Sequence, residues 1–224
     1  MSIVAIITAR GGSKRIPRKN IKEFMGKPML VYAIQAAQNS GIFDEIMVST
    51  DDKEIAQISE KFGAVVPFMR SEKTANDFAT TADVLNEVLD EYKTRGKIFD
   101  ELCCIYPCVP FLTGDVLKNA YKSFVDSNAD KLMPVVKYSF PIQRAQRINE
   151  NGFLEYREPE NAPKRSQDLE PMYHDVGMFY FYKADKLLSN KIVAYEMDES
   201  CIQDIDTLDD WKMAELKYKV LNNV

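Results

Sequence analysis

The chain opens on an apolar run, Ile3-Val4-Ala5-Ile6-Ile7. Five consecutive apolar residues, mostly β-branched, predict a strand buried on both faces, as in a parallel sheet. Polar punctuation and helical periodicity then alternate with further short apolar runs. Residues 28–39 predict an amphipathic helix with proline at its start. Residues 45–49 read as a second strand and 53–62 as a helix stopped by Gly63. A short strand at Val65-Val66 precedes a polar loop over 70–80. Residues 81–92 are helical by period, 101–106 extended, 115–125 helical and 131–136 extended. This βαβα order predicts an α/β protein with a doubly wound, mostly parallel sheet.

The pattern changes at about residues 138–173, which are charged and proline-bearing without a clean helix. Inside that stretch, residues 147–156 predict a β-hairpin turning at Asn151-Gly152. A segment inserted between core strands in this way is expected to be a lid, a dimer arm or both. Regular structure resumes at 178–182 and 191–195, and residues 207–221 predict a closing helix. With neither repeats nor low-complexity tracts, residues 1–224 are expected to form a single domain carrying one insertion.

Composition narrows the chemistry. A formal net charge of -5 over 224 residues argues against general nucleic-acid or anionic-membrane binding. No apolar run approaches the roughly 20 residues of a membrane helix, and no secretory leader is expected. Cys103 and Cys104, adjacent in a strand, would point to opposite faces, which argues against a metal knuckle, so the four cysteines, with Cys108 and Cys201, read as buried free thiols of a cytoplasmic protein. His174 is the only histidine, which excludes a His-rich metal site.

Positive charge is instead concentrated after the first strand, in Thr8-Ala9-Arg10-Gly11-Gly12-Ser13-Lys14-Arg15-Ile16-Pro17-Arg18-Lys19-Asn20. Glycines let backbone N–H groups approach an anion, and basic side chains supply charge and forked donors. A strand emptying into such a loop suits a phosphorylated ligand, although the loop matches neither G-x-x-x-x-G-K-[ST] nor G-x-G-x-x-G. A merely solvated basic surface is the competing reading. Asp204-Ile205-Asp206 is the second signal, since carboxylates two apart in extended chain share one face and repel unless a cation intervenes. A hard divalent ion shared with substrate phosphates would relieve that repulsion. Alternatively, Asp206 caps the closing helix. Arg70 suits a triphosphate or base contact, or pairs with Glu72. Asp51 lies beyond a strand end or caps the next helix, and Tyr106 to Phe111, kinked by two prolines, forms a pocket wall or a rigid connection. Lys164 and Arg165 read as a solvated basic face.

Taken together, these stretches resemble the CMP-sialic acid synthetase (acylneuraminate cytidylyltransferase) family. The likeness runs through residues 9–20, Gly26-Lys27-Pro28-Met29-Leu30, Val48-Ser49-Thr50-Asp51-Asp52, the Arg70 loop, Pro107 to Pro110, and Ile205-Asp206-Thr207-Leu208-Asp209-Asp210. Residues 104–111, 162–168 and 171–177 carry a further resemblance to its pseudaminic acid cytidylyltransferase branch. The resemblance implies a Rossmann-like nucleotidyltransferase fold with a small dimerisation arm, a homodimer, and CMP transfer from CTP to the anomeric hydroxyl of a nine-carbon 2-keto sugar acid, releasing pyrophosphate. It implies that Arg10, Gly11, Ser13, Lys14, Lys19, Asn20 and Arg70 bind the nucleotide, and that Asp204 and Asp206 hold Mg²⁺. Lys19 with those two aspartates would carry the catalysis. Tyr106, Arg165, Tyr173 and His174 are the expected sugar contacts, Arg165 by bidentate pairing with the sugar carboxylate. Tyr106 and Leu112 stand where sialic acid enzymes carry glutamine and arginine, so a sugar with a less hydroxylated end, pseudaminic acid, is favoured. Legionaminic or N-acetylneuraminic acid as substrate, a non-catalytic nucleotide binder and a sugar-1-phosphate nucleotidyltransferase are the competing readings.

Overall fold

A computed structural model describes residues 1–223; Val224, the end of the expected single-domain span, lies outside the described residues. The first strand, β1 (Ile3–Thr8), is followed by a hairpin of β2 (Glu23–Phe24) and β3 (Lys27–Pro28), then α1 (Leu30–Ser40) and β4 (Glu45–Ser49). Next come α2 (Lys53–Lys61), the short α3 (Glu72–Ala75), α4 (Thr81–Thr94), β5 (Glu101–Ile105), α5 (Gly114–Ser127) and β6 (Lys131–Lys137). The insertion holds β7 (Gln146–Ile148), β8 (Leu154–Tyr156) and β9 (Tyr173–Asp175). The chain ends with β10 (Phe179–Lys183), β11 (Ile192–Glu196) and α6 (Leu208–Asn222).

Seven strands form one sheet in the order β11-β6-β10-β5-β1-β4, with β9 on the free part of β6. β1 pairs in parallel with both β4 and β5, and β11 in parallel with β6. β10 runs antiparallel between β5 and β6, and β9 is also antiparallel. The sheet is therefore mostly parallel, as the alternating pattern predicted.

The continuous apolar run of β1 has a direct cause. Ile3, Ala5 and Ile7 pack on one face with Leu30 and Ile34 of α1 and Leu117 of α5, while Val4 and Ile6 face Leu85 and Val88 of α4. Helices cover both faces, so Ile3 to Ile7 are all apolar, and polarity returns only at the strand's carboxyl end with Thr8. Loops at the carboxyl ends of β1, β4 and β5 then gather at one edge, where open α/β sheets bind ligands.

Three local expectations need correction. The helix expected from residue 28 begins at Leu30, because Met25 (φ 48°) and Gly26 (φ 89°) turn the chain tightly and draw Pro28 into the β2–β3 hairpin. Val65 makes a single bridge to Met47 instead of a strand. The inserted segment also rejoins the main sheet through β9, where Val136 lies opposite His174. The β7–β8 hairpin forms as expected, with Gly152 at φ 82° in its turn.

Candidate active site

A cleft of about 910 Å³ opens at the carboxyl edge of the sheet. Arg10, Lys19, Asn20 and Arg70 line it, together with Tyr106, His174, Asp204 and Asp206. A smaller hollow of about 380 Å³ beside it is lined by Ser13 and Lys14 and shares Arg10, Lys19 and Asn20. Ten of the expected site residues thus lie along one continuous depression, although they span the chain from residue 10 to residue 206.

Tertiary contacts divide the basic charges of the first loop among four acidic partners. Arg10 (2.6 Å) and Lys14 both pair with Asp77, across the depression. Arg15 (2.9 Å) and Lys19 (3.5 Å) pair with Asp206. Arg18, at φ 56°, turns the other way to Asp52 and Glu54. Arg18 holds the Asp52 carboxyl below the usual aspartate range, and Asp52 caps α2 through the Glu54 and Ile55 N–H groups. Four of the five cations therefore remain by the depression, and the fifth fastens the loop to α2. Gly11 sits at the pinch between the loops. Its N–H donates to Asp51 Oδ1 at 2.8 Å, and an added Cβ would meet Asp52 Oδ2 at 2.9 Å. Asp51 therefore ties down the basic loop, while its neighbour takes the capping role.

Asp206 is likewise spared from capping. Thr207 caps α6 by a reciprocal box with Asp210, whose Oδ2 also accepts from the Asp206 N–H. Ile205 is buried between the two carboxylates, in a cluster with Trp211 and Phe24, and anchors them at the cleft. Its carbonyl accepts from Lys19 Nζ at 2.6 Å. Asn20 is buried and donates to the Arg10 carbonyl at 2.8 Å, while Cys108 Sγ donates to Asn20 Oδ1 at 3.4 Å. Burial pushes the Cys108 thiol up to about 12, with Lys19 opposing and Asp206 and Asp204 reinforcing.

Known proteins resemble this chain along nearly its whole length. A cytidylyltransferase family model matches residues 4–207. A pseudaminic acid cytidylyltransferase of Campylobacter jejuni is 39% identical, over 98% of this chain and 97% of that protein. A CMP-N,N'-diacetyllegionaminic acid synthase of Legionella pneumophila is 32% identical, over 96% of this chain and 95% of its own length. This chain belongs to the cytidylyltransferase family. In structure, a CMP:2-keto-3-deoxy-manno-octonic acid synthetase complexed with CTP superposes with a TM-score of 0.72 over the full length of both chains, at 20% identity, and shares the fold.

In this cytidylyltransferase Arg70 is 8% exposed and does not meet Glu72. Its Nε donates to Ser49 Oγ (3.0 Å) and its Nη2 to the Ser49 carbonyl (2.7 Å). Burial draws its pKa below the usual arginine value, against the pull of Asp51 and Glu87. Beside it, the Tyr106 hydroxyl lies 3.0 Å from Thr81 Oγ1, and its ring meets that of Tyr180 edge-on at 5.6 Å. Tyr180 donates to Asp175 Oδ2 at 2.7 Å. His174 stacks at a tilt on Tyr138, 4.8 Å between centroids.

Two expected sugar contacts lie apart from the cleft of their own chain. Arg165 sits on the insertion, exposed, with its guanidinium on Asp168 at 2.9 and 3.3 Å. Tyr173 lies in the β9–β6 ladder opposite Lys137, beside Glu196. Conversely, Asp77, Thr81, Asp175 and Tyr180 line the cleft without having been singled out. Asp77 lay inside a loop with no periodicity to read, and Asp175 stood next to the nominated His174. Among the described residues no helix is long and apolar enough to cross a membrane.

Proposed function

We propose that this chain transfers CMP from CTP to the anomeric hydroxyl of pseudaminic acid and releases pyrophosphate. The observation that carries the reading is one cleft joining the basic first loop, the Asp204/Asp206 pair and an aromatic end at Tyr106 and Tyr180. The 39% identity to a pseudaminic acid cytidylyltransferase over nearly the whole chain supports this sugar over legionaminic acid, whose synthase is 32% identical.

In this reaction the sugar oxygen bonds to the α-phosphorus as the bond to the β-phosphate oxygen breaks, and the hydroxyl proton is lost. Little covalent chemistry falls to the protein; positioning and charge neutralisation dominate. Lys14 and Lys19 are the phosphate contacts, with Arg10, Ser13 and Asn20 shaping the loop around them and Arg70 on the nucleotide side. The donor set suits Mg²⁺: two carboxylates beside Ile205, neither used as a helix cap. Among the described residues no cluster of three or more acidic, His or Cys side chains could hold a metal alone. Asp204 and Asp206 would therefore hold the ion jointly with phosphate oxygens and water. Bound there, Mg²⁺ would neutralise developing phosphate charge and lower the pKa of the attacking hydroxyl.

We assign residues 138–173 as an arm within a single-domain enzyme. Phe140 is 86% and Phe153 69% exposed there, beside exposed Ile148 and Leu154, an apolar surface that suits a second copy of the chain. Such a homodimer would bring Arg165 and Tyr173 to the partner's cleft. Four free thiols and a CTP requirement suit the cytoplasm. Pyrophosphate release from CTP and Mg²⁺, measured in parallel with pseudaminic, legionaminic and N-acetylneuraminic acids, tests the reading. Preference for pseudaminic acid is expected. Preference for another sugar overturns the specificity, and silence with all three overturns the catalytic assignment.

A further inference from the structure

The Pro107 loop separates two electrostatic neighbourhoods in the cleft. Cys108, on one side, lies in the field of Lys19, Asp206 and Asp204. Tyr106, on the other, lies in that of Asp175. Asp175 is held in place rather than free: Oδ1 accepts from the Gly177 N–H at 2.9 Å and Oδ2 from the Tyr180 hydroxyl at 2.7 Å. Both donors are neutral. Among the described residues no lysine, arginine or histidine forms an ion pair with it, so where it lines the cleft its charge is met only by these two neutral donors.

A fixed carboxylate in a site for a sugar acid has two consequences. It repels the sugar's own carboxylate, which is thereby directed away from the Tyr106 end of the cleft. It also requires a hydrogen-bond donor from whatever part of the sugar lies against it, because an ionised carboxylate only accepts. The surfaces around it decide which donor. Val136, Val176 and the rings of Tyr106 and Tyr180 line the same end of the cleft. The hydroxyls of Thr81 and Tyr106 there are already paired with each other, so a hydroxylated chain would find few free partners among those walls. An acylamino group instead offers one N–H for the carboxylate and a methyl for the walls.

Resting on the proposed function, we infer that Asp175 reads an acylamino N–H of the sugar and sets the sugar's direction in the cleft. It is thus a specificity residue, and it selects nonulosonic acids bearing amides over those bearing hydroxyls at that position. A hydrogen bond to a charged group sets the scale of the effect, about tenfold to a hundredfold in kcat/KM.

The test compares the unaltered enzyme with Asp175→Ala and Asp175→Asn in pyrophosphate release from CTP and diacetylated pseudaminic acid. A nonulosonic acid with hydroxyls in place of both amides serves as competitive inhibitor. In Asp175→Ala, kcat/KM for the diamide sugar should fall about tenfold to a hundredfold while the KM for CTP stays within about twofold. The preference for diamide over hydroxyl analogue should narrow by a similar factor, and Asp175→Asn, which keeps one acceptor, should fall between. An unchanged preference, or a loss shared equally by CTP, overturns the inference. Should thermal melting show Asp175→Ala unfolded, the isosteric Asn variant decides alone, and an unchanged sugar KM in it counts against the role. No release by the unaltered enzyme with any sugar would instead remove the proposed function, and this inference with it.

Discussion

The two ends of the cleft are built by different means. At the basic end, charge is supplied in excess and then shared out: Arg10 and Lys14 against Asp77, Arg15 and Lys19 against Asp206. Those side chains stand on a loop fastened at Gly11 and Arg18, beneath a buried strand. At the aromatic end the working groups are fewer, mostly neutral and linked in short hydrogen-bonded chains, Thr81 to Tyr106 and Tyr180 to Asp175. His174 and Asp175 at that end come with β9, the last strand of the inserted segment. Ion pairs with movable partners suit a ligand that brings its own charge and can displace them. Fixed neutral contacts suit discrimination between similar sugars, where one unmet hydrogen bond costs more than a lost surface ion pair.

Substitutions at each end should separate these roles. The largest effect is expected from Asp206→Asn, which removes one carboxylate of the pair and the partner of Arg15 and Lys19. Turnover should fall by at least about a hundredfold, the scale of deleting one charge-stabilising group. Thermal melting should be nearly unchanged, because Thr207 and Asp210, not Asp206, cap α6. Retained Mg²⁺-dependent turnover would take Asp206 out of the metal site.

An intermediate effect is expected from Phe153→Asp combined with Leu154→Asp, on the exposed arm hairpin. Sedimentation should shift from dimer to monomer, and sugar use should suffer more than CTP use if Arg165 and Tyr173 serve the partner's cleft. A dimer that survives would place the subunit contact elsewhere. The smallest effect belongs to Asp77→Asn. Its pairs with Arg10 and Lys14 are solvent-exposed, and such pairs contribute about 0–1 kcal/mol. Releasing both cations should lower the KM for CTP by at most about fivefold. A rise instead would mean that Asp77 positions the cations rather than competing for them.

The basic end was legible because its parts are contiguous. Residues 9–20 carry glycines and cations in one loop, and Asp204 and Asp206 are two apart, so local spacing alone suggested convergence on charge. The alternating elements likewise gave the sheet's parallel strands and the insertion's hairpin. Less legible were the β2–β3 hairpin, whose turn rests on a left-handed Met25, and the antiparallel course of β10. Apolar runs report burial and not direction, so β10 reads alike either way.

The aromatic end was legible only in part. Tyr106 and His174 were marked out by resemblance, but Asp175 and Tyr180 gain their roles from strand pairing. β10 places Tyr180 opposite Cys104 on β5, which brings it against Tyr106, while β9 returns Asp175 to the sheet opposite Val135. By itself, then, the sequence determined the fold class, the basic loop after the first strand and the paired carboxylates, since each depends on periodicity or spacing over a few residues. Only the tertiary structure decided which cation meets which carboxylate, which aspartate caps a helix, and which acid lines the aromatic end of the cleft. Those depend on contacts between residues far apart in the chain, and their register is set by packing that no local pattern records.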